Sequence, residues 1–464
     1  MRIVIAILSA ILLASSAPAH GPASERARSN EPAMRVLCQA AEVPIRLPSG
    51  RTVATMHAYA YHVADDPGRP VTFLWNGGPG AASALLHTMF AAPMTATMAG
   101  PEPEIELNPY ALLDITDLVY VDPVGSGLSR ATSSKDAPRF WNVDDDAIAA
   151  AEFVRTYLDD RGMLDRPVYL CGESYGAIRV AAMLGPLASR DIEVEGLILI
   201  SPALESRTLR PSAAADRLTS RADQLTSLAA VALHREGWSA AAARGFLDEA
   251  YAFAQGPYRA AMDKGRAISH AEIEAMRAQR DAFTLGHSEF SVSMHDHYDA
   301  RHPRSWNGES LAGINLDRLK AAHRELLTER FRMDIKDSYI YLNGRANSLW
   351  GGPDRTRRHF SATDIRVPDI IAEHSDRGAA PRVFIAGGWY DFVTPFGANR
   401  RLADRGAFGR ALVTVRDYPG GHVIYADDQA HAALAEDLRD WWASQGHANA
   451  GATEPRAGSA VVAE

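Results

Sequence analysis

The chain has 464 residues, of which 47% are hydrophobic and 23% are charged, so it can bury a substantial core in one large domain or two smaller ones. Its formal net charge of −9 at pH 7 shows no excess of positive charge of the kind that binds nucleic acid. Cys38 and Cys171 are the only cysteines, which excludes a disulfide framework. A single bridge between them stays open as an alternative to the buried, inert thiol that we expect at Cys171.

The first residues have the pattern of a secretory signal peptide. Arg2 supplies the positive start, residues 3–13 are apolar, and Ala17-Pro18-Ala19 fits a cleavage site. The apolar run is shorter than the roughly 20 residues that span a membrane. We therefore expect residues 1–19 to be removed and the mature protein to be periplasmic or secreted, without a membrane partner. Residues 20–30 are polar and are expected to be flexible.

Strand and helix patterns alternate in residues 31–204. Each strand ends in a Gly- or Pro-rich loop, which is where open α/β sheets bind their ligands. This alternation predicts a mostly parallel sheet with crossover helices, opened by an antiparallel hairpin. The predicted strands are residues 43–47, 52–63, 71–75, 118–121, 168–171 and 197–200, and the predicted helices are residues 144–158 and 177–184.

The sequence changes character at about residue 205. Residues 205–367 are rich in Ala, Arg and Leu and contain few strand signals, which predicts a helical insertion. Sheet character returns in residues 368–443, with strands at 382–386 and 413–417 and a helix at 430–442. Residues 444–464 are small and polar, and we expect them to be disordered.

A strand pattern, a Gly-x-Ser-x-Gly turn and a helix pattern meet in residues 168–177. This context is typical of a nucleophile elbow, a sharp turn that exposes a reactive serine. Gly172 and Gly176 are expected where the strand and the helix pass close to the turn. The alternative is a chance match in a Gly-rich strand–helix junction. Ser174 is therefore the candidate nucleophile.

An elbow serine needs a histidine base and an acid that orients it. In this fold class the acid and then the histidine follow the serine along the chain. Asp391 lies after the predicted strand 382–386, and His422 lies after strand 413–417 and two glycines. A single Asp or His in a loop is usually solvated surface, but two in this order, each after its own strand, are the candidate acid and base.

The oxyanion of such a reaction needs two backbone donors. One is expected to be the N–H of Tyr175, which follows the nucleophile, and the other an N–H from the first strand–loop junction. Residues 76–80, Asn-Gly-Gly-Pro-Gly, form that junction, and we assign Gly78 as the second donor. A plain tight turn is the alternative reading of this loop.

Several runs match the motifs of one family in the order in which that family has them. They are residues 74–80, 108–110, 121–129, 172–176 and 421–422. Together they resemble the serine carboxypeptidase family, a branch of the α/β-hydrolase fold with a large helical lid. The match extends from about residue 43 to 442 and is weakest in the insertion. Residues 388–395 and 422–425 are similar to bacterial members.

The resemblance implies that Ser174, Asp391 and His422 form the catalytic triad. It also implies that Asn76 and Glu173 bind the terminal carboxylate of a peptide, for which Glu173 must be protonated and hence have a raised pKa. A helix N-terminal acid is the structural alternative for Glu173. Two residues depart from the common eukaryotic pattern. Ala81 replaces a cysteine, so that pattern's disulfides cannot form, and Phe90 stands where the pattern has an acid that partners Glu173.

The sequence therefore predicts an exported serine carboxypeptidase that acts on peptides through an acyl-enzyme and uses no cofactor. An esterase or acyltransferase on the same scaffold is the first alternative, since fold does not fix substrate. A binding protein that uses the same cleft without catalysis is a second. Small acyl compounds would be the substrates of the first alternative.

One histidine cluster stands apart from these motifs. Residues 295–299 read His-Asp-His-Tyr-Asp, and His302 follows. A His-x-His pair could bind zinc, but no further donors follow at a known spacing. We expect no metal here, and a polar segment facing the cleft instead.

Overall fold

The computed structural model describes residues 35–445 except 65, 98–102, 210, 212, 288–294, 304–309, 336–337 and 351–364. The predicted signal peptide (1–19), the polar segment (20–30) and residues 446–464 of the predicted tail lie outside the described residues.

Strands are concentrated in the parts of the chain that flank the insertion. Numbered in chain order, they are β1 (Val36–Arg46), β2 (Thr52–Val63), β3 (Val71–Trp75), β4 (Met94–Thr97), β5 (Glu104–Leu107), β6 (Asp117–Val121), β7 (Arg130–Ala131), β8 (Val168–Glu173), β9 (Val194–Ile200), β10 (Ser310–Leu311), β11 (Ile314–Asn315), β12 (Arg382–Gly388) and β13 (Val413–Tyr418).

The α-helices lie between the strands and, above all, in the insertion. They are α1 (Ala84–Met89), α2 (Val143–Asp160), α3 (Tyr175–Ala188), α4 (Ser206–Leu209), α5 (Ala214–Arg235), α6 (Ala240–Phe253), α7 (Arg259–Asp263), α8 (His270–Phe283), α9 (Leu316–Phe331), α10 (Gly344–Ser348), α11 (Val367–Arg377), α12 (Phe396–Asp404) and α13 (Asp428–Ala443).

The central sheet is mostly parallel. Its strand order is β1-β2-β6-β3-β8-β9-β12-β13, with β7 beside β2. The pairs β1–β2 and β2–β6 are antiparallel, and every pair from β6 to β13 is parallel. Because the carboxyl ends of parallel strands meet at one edge, the loops after β3, β8, β12 and β13 share that edge. The candidate site residues lie in these four loops, at the end of β8 (Glu173) and at the start of α3 (Tyr175).

Apolar side chains cover both faces of this sheet. Helices α2, α3 and α11 pack on one face, and α1, α9 and α13 pack on the other. Strands β3, β6 and β8 are buried along their whole length. Continuous apolar strands of this kind are typical of a parallel sheet that helices cover on both sides.

The helices begin where the sequence provides caps. At the start of α2 the side chain of Asn142 accepts a hydrogen bond from the N–H of Asp145, and three aspartates occupy the first turn. Both features stabilise a helix N-terminus, because they satisfy free N–H groups and complement the helix dipole. The alanine- and valine-rich face of α2 then packs on the sheet.

The insertion leaves the sheet after β9 and returns through α11 to β12, so two adjacent strands bracket it. Helix α5 packs on the core helix α12, where Gly397 lies against the backbone of Asp223; an added Cβ would be 2.5 Å from the carbonyl oxygen of Asp223. The buried guanidinium of Arg401 bonds both Asp223 and Glu205. Charge pairing and close packing thus join the insertion to the core.

The predicted strands and helices of the core are present, with ends that differ by a few residues. The structure adds β4, β5, β7, β10 and β11, whose two to four residues are too short to show a periodic pattern. Cys38 and Cys171 are both free thiols. Within the described residues, none of the helices is long and apolar enough to cross a bilayer.

Asp117, at the start of β6, is the centre of a buried polar network. Its carboxylate accepts hydrogen bonds from Val63 N–H at 3.0 Å, Arg69 Nε at 3.3 Å and Arg166 Nη2 at 2.6 Å, and lies 2.9 Å from His62 Nδ1. The side chain of Asp117 is 1% exposed. A buried charge at this position is tolerated because every carboxylate oxygen is paired.

Asp117→Asn should strongly destabilise the fold, because it removes the carboxylate bonded by buried Arg166 and leaves buried Arg69 only the more exposed Asp66. The free energy of unfolding measured by urea denaturation should fall by about 3–5 kcal/mol. The control is Asp159→Asn, which breaks an exposed pair with Arg155 on α2 and should cost less than about 1 kcal/mol. Equal losses in the two variants would contradict the role given to the buried network.

Candidate active site

The turn after β8 has the geometry of a nucleophile elbow. Ser174 has a φ of +58°, a strained value for a residue with a side chain. Its N–H donates to the carbonyl of Ile200, and its own carbonyl accepts from Ala177 and Ala203. These bonds hold the strained backbone in place. Ser174 is half-exposed although the residues on both sides of it are buried.

Close packing explains the glycines around this turn. A Cβ on Gly172 would lie 2.3 Å from the carbonyl oxygen of Gly176, and a Cβ on Gly176 would lie 2.6 Å from that of Trp75. Gly77 contacts the elbow in the same way, because its Cβ would lie 2.6 Å from the backbone nitrogen of Tyr175. The loop after β3 and the elbow are therefore in direct backbone contact.

Asp391 and His422 are brought together at the same edge. Their side chains are 0% and 2% exposed, and His422 Nδ1 lies 2.7 Å from Asp391 Oδ2. The other carboxylate oxygen of Asp391 accepts from the N–H groups of Val393 at 2.7 Å and Thr394 at 2.9 Å. The Thr394 hydroxyl donates to Oδ2 at 2.6 Å. These contacts fix the carboxylate of Asp391, and the carboxylate in turn orients the ring of His422.

The electrostatic surroundings favour a charged His422. Burial lowers the pKa of His422, but the charge of Asp391, its hydrogen bond and the charge of Glu173 outweigh burial, so the pKa lies above its ordinary value. An imidazolium formed by proton abstraction would thus be stabilised. This is the electrostatic requirement of a general base paired with an acid.

Backbone and side-chain contacts connect the histidine loop to the elbow. Ser201, just after β9, donates its hydroxyl to the carbonyl of His422 at 2.6 Å, and its N–H bonds Ala386. Within the described residues, Ser174 Oγ has no hydrogen bond to His422; such contacts commonly tighten only when substrate binds. The sequence analysis missed Ser201 and Thr394, although both lie at strand ends or beside a candidate residue.

Gly78 and Tyr175, the two predicted oxyanion donors, lie in segments that contact each other through Gly77. Gly78 is exposed, has a φ of +102°, and its N–H has no acceptor among the described residues. Tyr175 is the first residue of α3, directly after Ser174. The backbone contact between Gly77 and Tyr175 keeps the two donor segments adjacent. An anionic oxygen beside Ser174 could therefore be met from two sides.

Glu173 and Asn76 are also in contact. Asn76 Nδ2 donates to Glu173 Oε2 at 3.0 Å, and Asn76 Oδ1 accepts from the N–H of Leu86 at 3.0 Å. The hydroxyl of Tyr425 donates to the same carboxylate oxygen of Glu173. Glu173 is 3% exposed. The structure thus gives this acid two donors, Asn76 and Tyr425, and Tyr425 was not among the predicted site residues.

Burial dominates the ionisation of Glu173. It raises the pKa to about 7, and the charge of His422 and the hydrogen bonds from Tyr425 and Asn76 act in the opposite direction. The ring of Phe90 packs against that of Tyr425, with centroids 5.2 Å apart. Phe90 therefore packs against Tyr425, and Tyr425 donates a hydrogen bond to Glu173. The signal in the sequence was Tyr425 itself, three residues after His422.

The histidine cluster in the insertion does not assemble a metal site. Groups of three or more His, Cys, Asp or Glu side chains placed to bind a metal ion do not occur in the described part of the chain. His295 is buried beside Arg235, and His297 and His302 are exposed. Residues 295–301 instead run past the loops of Asp391 and His422.

Asp391→Asn should lower the rate of ester hydrolysis about 10⁴-fold, because an amide cannot stabilise the imidazolium and favours the wrong tautomer of His422. The control is Asp404→Asn in the same segment. Asp404, the last residue of α12, accepts a hydrogen bond from Tyr251. The Asp404→Asn variant should therefore have almost the same kcat as the wild type. Comparable losses in the two variants would mean that Asp391 is not the orienting acid.

Comparison with known proteins adds two findings. The family model described as serine carboxypeptidase matches residues 50–211, which include Asn76, Gly78 and Ser174 but neither Asp391 nor His422. Kex1, a prohormone-processing carboxypeptidase from Saccharomyces cerevisiae, superimposes with a TM-score of 0.57 at 13% identity, over 89% of this chain and 92% of that one.

Other solved structures are less similar. A proline iminopeptidase from Mycobacterium smegmatis gives a TM-score of 0.41 at 14% identity, over 87% of this chain and 100% of that one. An esterase from Pyrobaculum calidifontis gives 0.36 at 12% identity, over 90% and 88%. A search among curated protein sequences found no match.

The superposition on Kex1 covers most of both chains, so the predicted α/β-hydrolase fold is confirmed. The family model matches the part of the chain that contains the elbow and the first strand–loop junction. Over residues 50–211 this chain is thus similar to the serine carboxypeptidase family, and with Kex1 it shares the fold.

Proposed function

We propose that this protein is an exported serine carboxypeptidase that removes the last amino acid of a peptide. The observation that carries the proposal is the pairing of two sites. A buried acid with a pKa of about 7, Glu173, directly precedes Ser174, and the Asp391–His422 pair lies at the same sheet edge. The first can recognise a terminal carboxylate, and the second can activate the serine.

In the first step Ser174 Oγ attacks the carbonyl carbon of the last peptide bond. Its proton passes to His422, and the negative charge that develops on the carbonyl oxygen is met by the N–H groups of Gly78 and Tyr175. The C–N bond then breaks, and His422 gives the proton to the departing amino group. Asp391 holds the other ring nitrogen of His422 throughout.

In the second step water attacks the acyl-enzyme. His422 takes a proton from the water and returns it to Ser174 Oγ as the ester bond breaks. The shortened peptide leaves with a new carboxylate. The step consumes one water molecule, and Ser174 and His422 return to their starting protonation states.

Recognition of the carboxylate depends on the protonated form of Glu173. Glu173 Oε2 accepts from both Asn76 and Tyr425, and Oε1 has no partner among the described residues. A neutral Glu173 therefore has its proton available on Oε1 for a substrate carboxylate, whereas an ionised Glu173 would repel one. Asn76 can add the second hydrogen of its amide.

Export is the remaining part of the proposal. It is supported by the charged start, apolar run and cleavage pattern of residues 1–19, which lie outside the described residues. Peptides would be the substrates of the mature protein; we propose no nucleic acid or membrane partner.

Wild-type enzyme should cleave peptides with a free carboxyl terminus and leave matched amidated peptides nearly untouched, because only the former engage Glu173. Release of the last residue, measured by mass spectrometry, checks this. Ser174→Ala should reduce cleavage by about 10⁴–10⁶-fold while thermal unfolding stays unchanged. Equal cleavage of free and amidated peptides would favour an esterase or endopeptidase, and failure of a fluorophosphonate to label Ser174 would favour a binding protein.

For free-carboxylate peptides, kcat/KM should rise as His422 loses its proton and fall again as Glu173 ionises. The optimum should therefore lie nearer neutral pH than that of an enzyme with two carboxyls sharing a proton. Glu173→Gln should retain activity and lose the alkaline fall, since Gln cannot ionise. Tyr425→Phe should move that fall to higher pH, because Tyr425 lowers the pKa of Glu173.

A p-nitrophenyl ester, which has no terminal carboxylate, is the control and should show no alkaline fall in any of the three proteins. A wild-type peptide optimum below about pH 5, in the ordinary range of a carboxyl group, would show that another acid partners Glu173. Phe90 would then not be the reason for the position of the optimum.

A further inference from the structure

A segment of the insertion, residues 295–301, crosses the catalytic edge of the core, and we call it the strap. Its backbone bonds both neighbours of Asp391. The N–H of Phe392 donates to the carbonyl of His297 at 2.9 Å, and the N–H of Ala300 donates to the carbonyl of Tyr390 at 2.9 Å. The acid loop is therefore fastened to the insertion on both sides of Asp391.

The strap also bonds the histidine loop. The N–H of His422 donates to the carbonyl of Tyr298 at 2.5 Å. Gly421 is packed so tightly that an added Cβ would lie 2.6 Å from the same carbonyl oxygen and 2.7 Å from the Cβ of Asp299. A glycine at this position is thus required by the strap and not only by the turn.

Arg301 fastens the strap to the core. Its guanidinium bonds Asp299 at 2.7 Å and Asp427, the cap of α13, at 2.8 Å. It also lies over the ring of Tyr390, 4.5 Å from the centroid. A guanidinium with two carboxylates and an aromatic face has little freedom, so the strap is a fixed element.

The side chain of Tyr298 covers His422. The two rings meet edge to face at 80°, with centroids 5.1 Å apart, and Tyr298 is 37% exposed on its other side. Both Asp391 and Glu173 raise the pKa of Tyr298, after burial, so its phenol lies within electrostatic range of both acids. His422 is therefore enclosed by Asp391 and Thr394 from the acid loop, Glu173 from β8, Ser201 after β9 and Tyr298 from the strap.

We propose that Tyr298 is a positioning residue for His422 and that the strap sets the relative placement of the acid and histidine loops. The ring of Tyr298 restricts the rotation of the imidazole and keeps water from the bond between His422 and Asp391. The inference rests on the proposed function, because it takes His422 to be the catalytic base. It assigns the insertion a part in the geometry of the triad.

The test compares Tyr298→Ala with Tyr298→Phe in the full-length mature protein, using a p-nitrophenyl ester as substrate. Tyr298→Ala should lower kcat by about 10- to 100-fold, as expected for a misplaced catalytic group, with little change in KM. Burial lowers the pKa of His422, so removing the covering ring should raise that pKa and move the acid limb of the kcat profile to higher pH. Tyr298→Phe, which keeps the ring, should restore most of the rate and the original limb.

The matched control is Tyr258→Ala, which truncates a half-buried tyrosine elsewhere in the insertion and should change neither kcat nor the acid limb. If Tyr298→Ala does not fold, Tyr298→Leu replaces it and should move the limb in the same direction by less. If the folded variant has the wild-type kcat and the wild-type acid limb of the kcat–pH profile, the inference is overturned. The proposed function still stands in that case, provided that a fluorophosphonate labels Ser174. Absence of fluorophosphonate labelling in wild type would instead overturn the proposed function, and this inference with it.

Discussion

The buried hydrogen bond between Asp391 and His422 is the interaction on which the rest of the site depends. A carboxylate with no exposed surface is costly unless its oxygens are all paired. Asp391 meets this condition through two N–H groups, the Thr394 hydroxyl and the His422 ring. The loops after β12 and β13 must therefore lie in register with each other, which the parallel pairing of Gly388 with Tyr418 provides. The hydrogen bonding between β12 and β13 therefore determines how Asp391 and His422 are placed relative to each other.

The insertion completes this geometry at two separate places. The strap holds the loops of Asp391 and His422, and residues 340–347 hold the loop after β3. In the latter segment the N–H of Asn343 donates to Gly80, and the side chain of Asn347 donates to Pro79, both at 2.9 Å. A lid that only covered a cleft would not need to bond the backbone of the loops beneath it. Movement of the insertion would therefore alter catalytic geometry as well as access.

Sequence could predict the residues that local pattern and chain order determine. Ser174 follows from a strand–turn–helix motif, and the order of Asp391 and His422 follows from the strands that precede them. The predicted core strands and helices are found for the same reason. Tyr425, Thr394 and the strap could not be found in this way. Their contacts join residues up to 252 positions apart, as in the bond from Tyr425 to Glu173, and depend on how the insertion and the helices pack.

The resemblance implies an acid at the position of Phe90, and without that acid a different force sets the ionisation of Glu173. Two carboxyls that share a proton raise one pKa by mutual repulsion, and that effect disappears if either is removed. At Glu173 no such repulsion from Phe90 exists, and burial is the largest contribution to its raised pKa. Tyr425 has a pKa well above its ordinary value and stays neutral, and the hydrogen bond that it donates to Glu173 favours the ionised form of that acid. Recognition of a carboxylate would then be controlled by the dryness of the site, which the rings of Phe90 and Tyr425 themselves create.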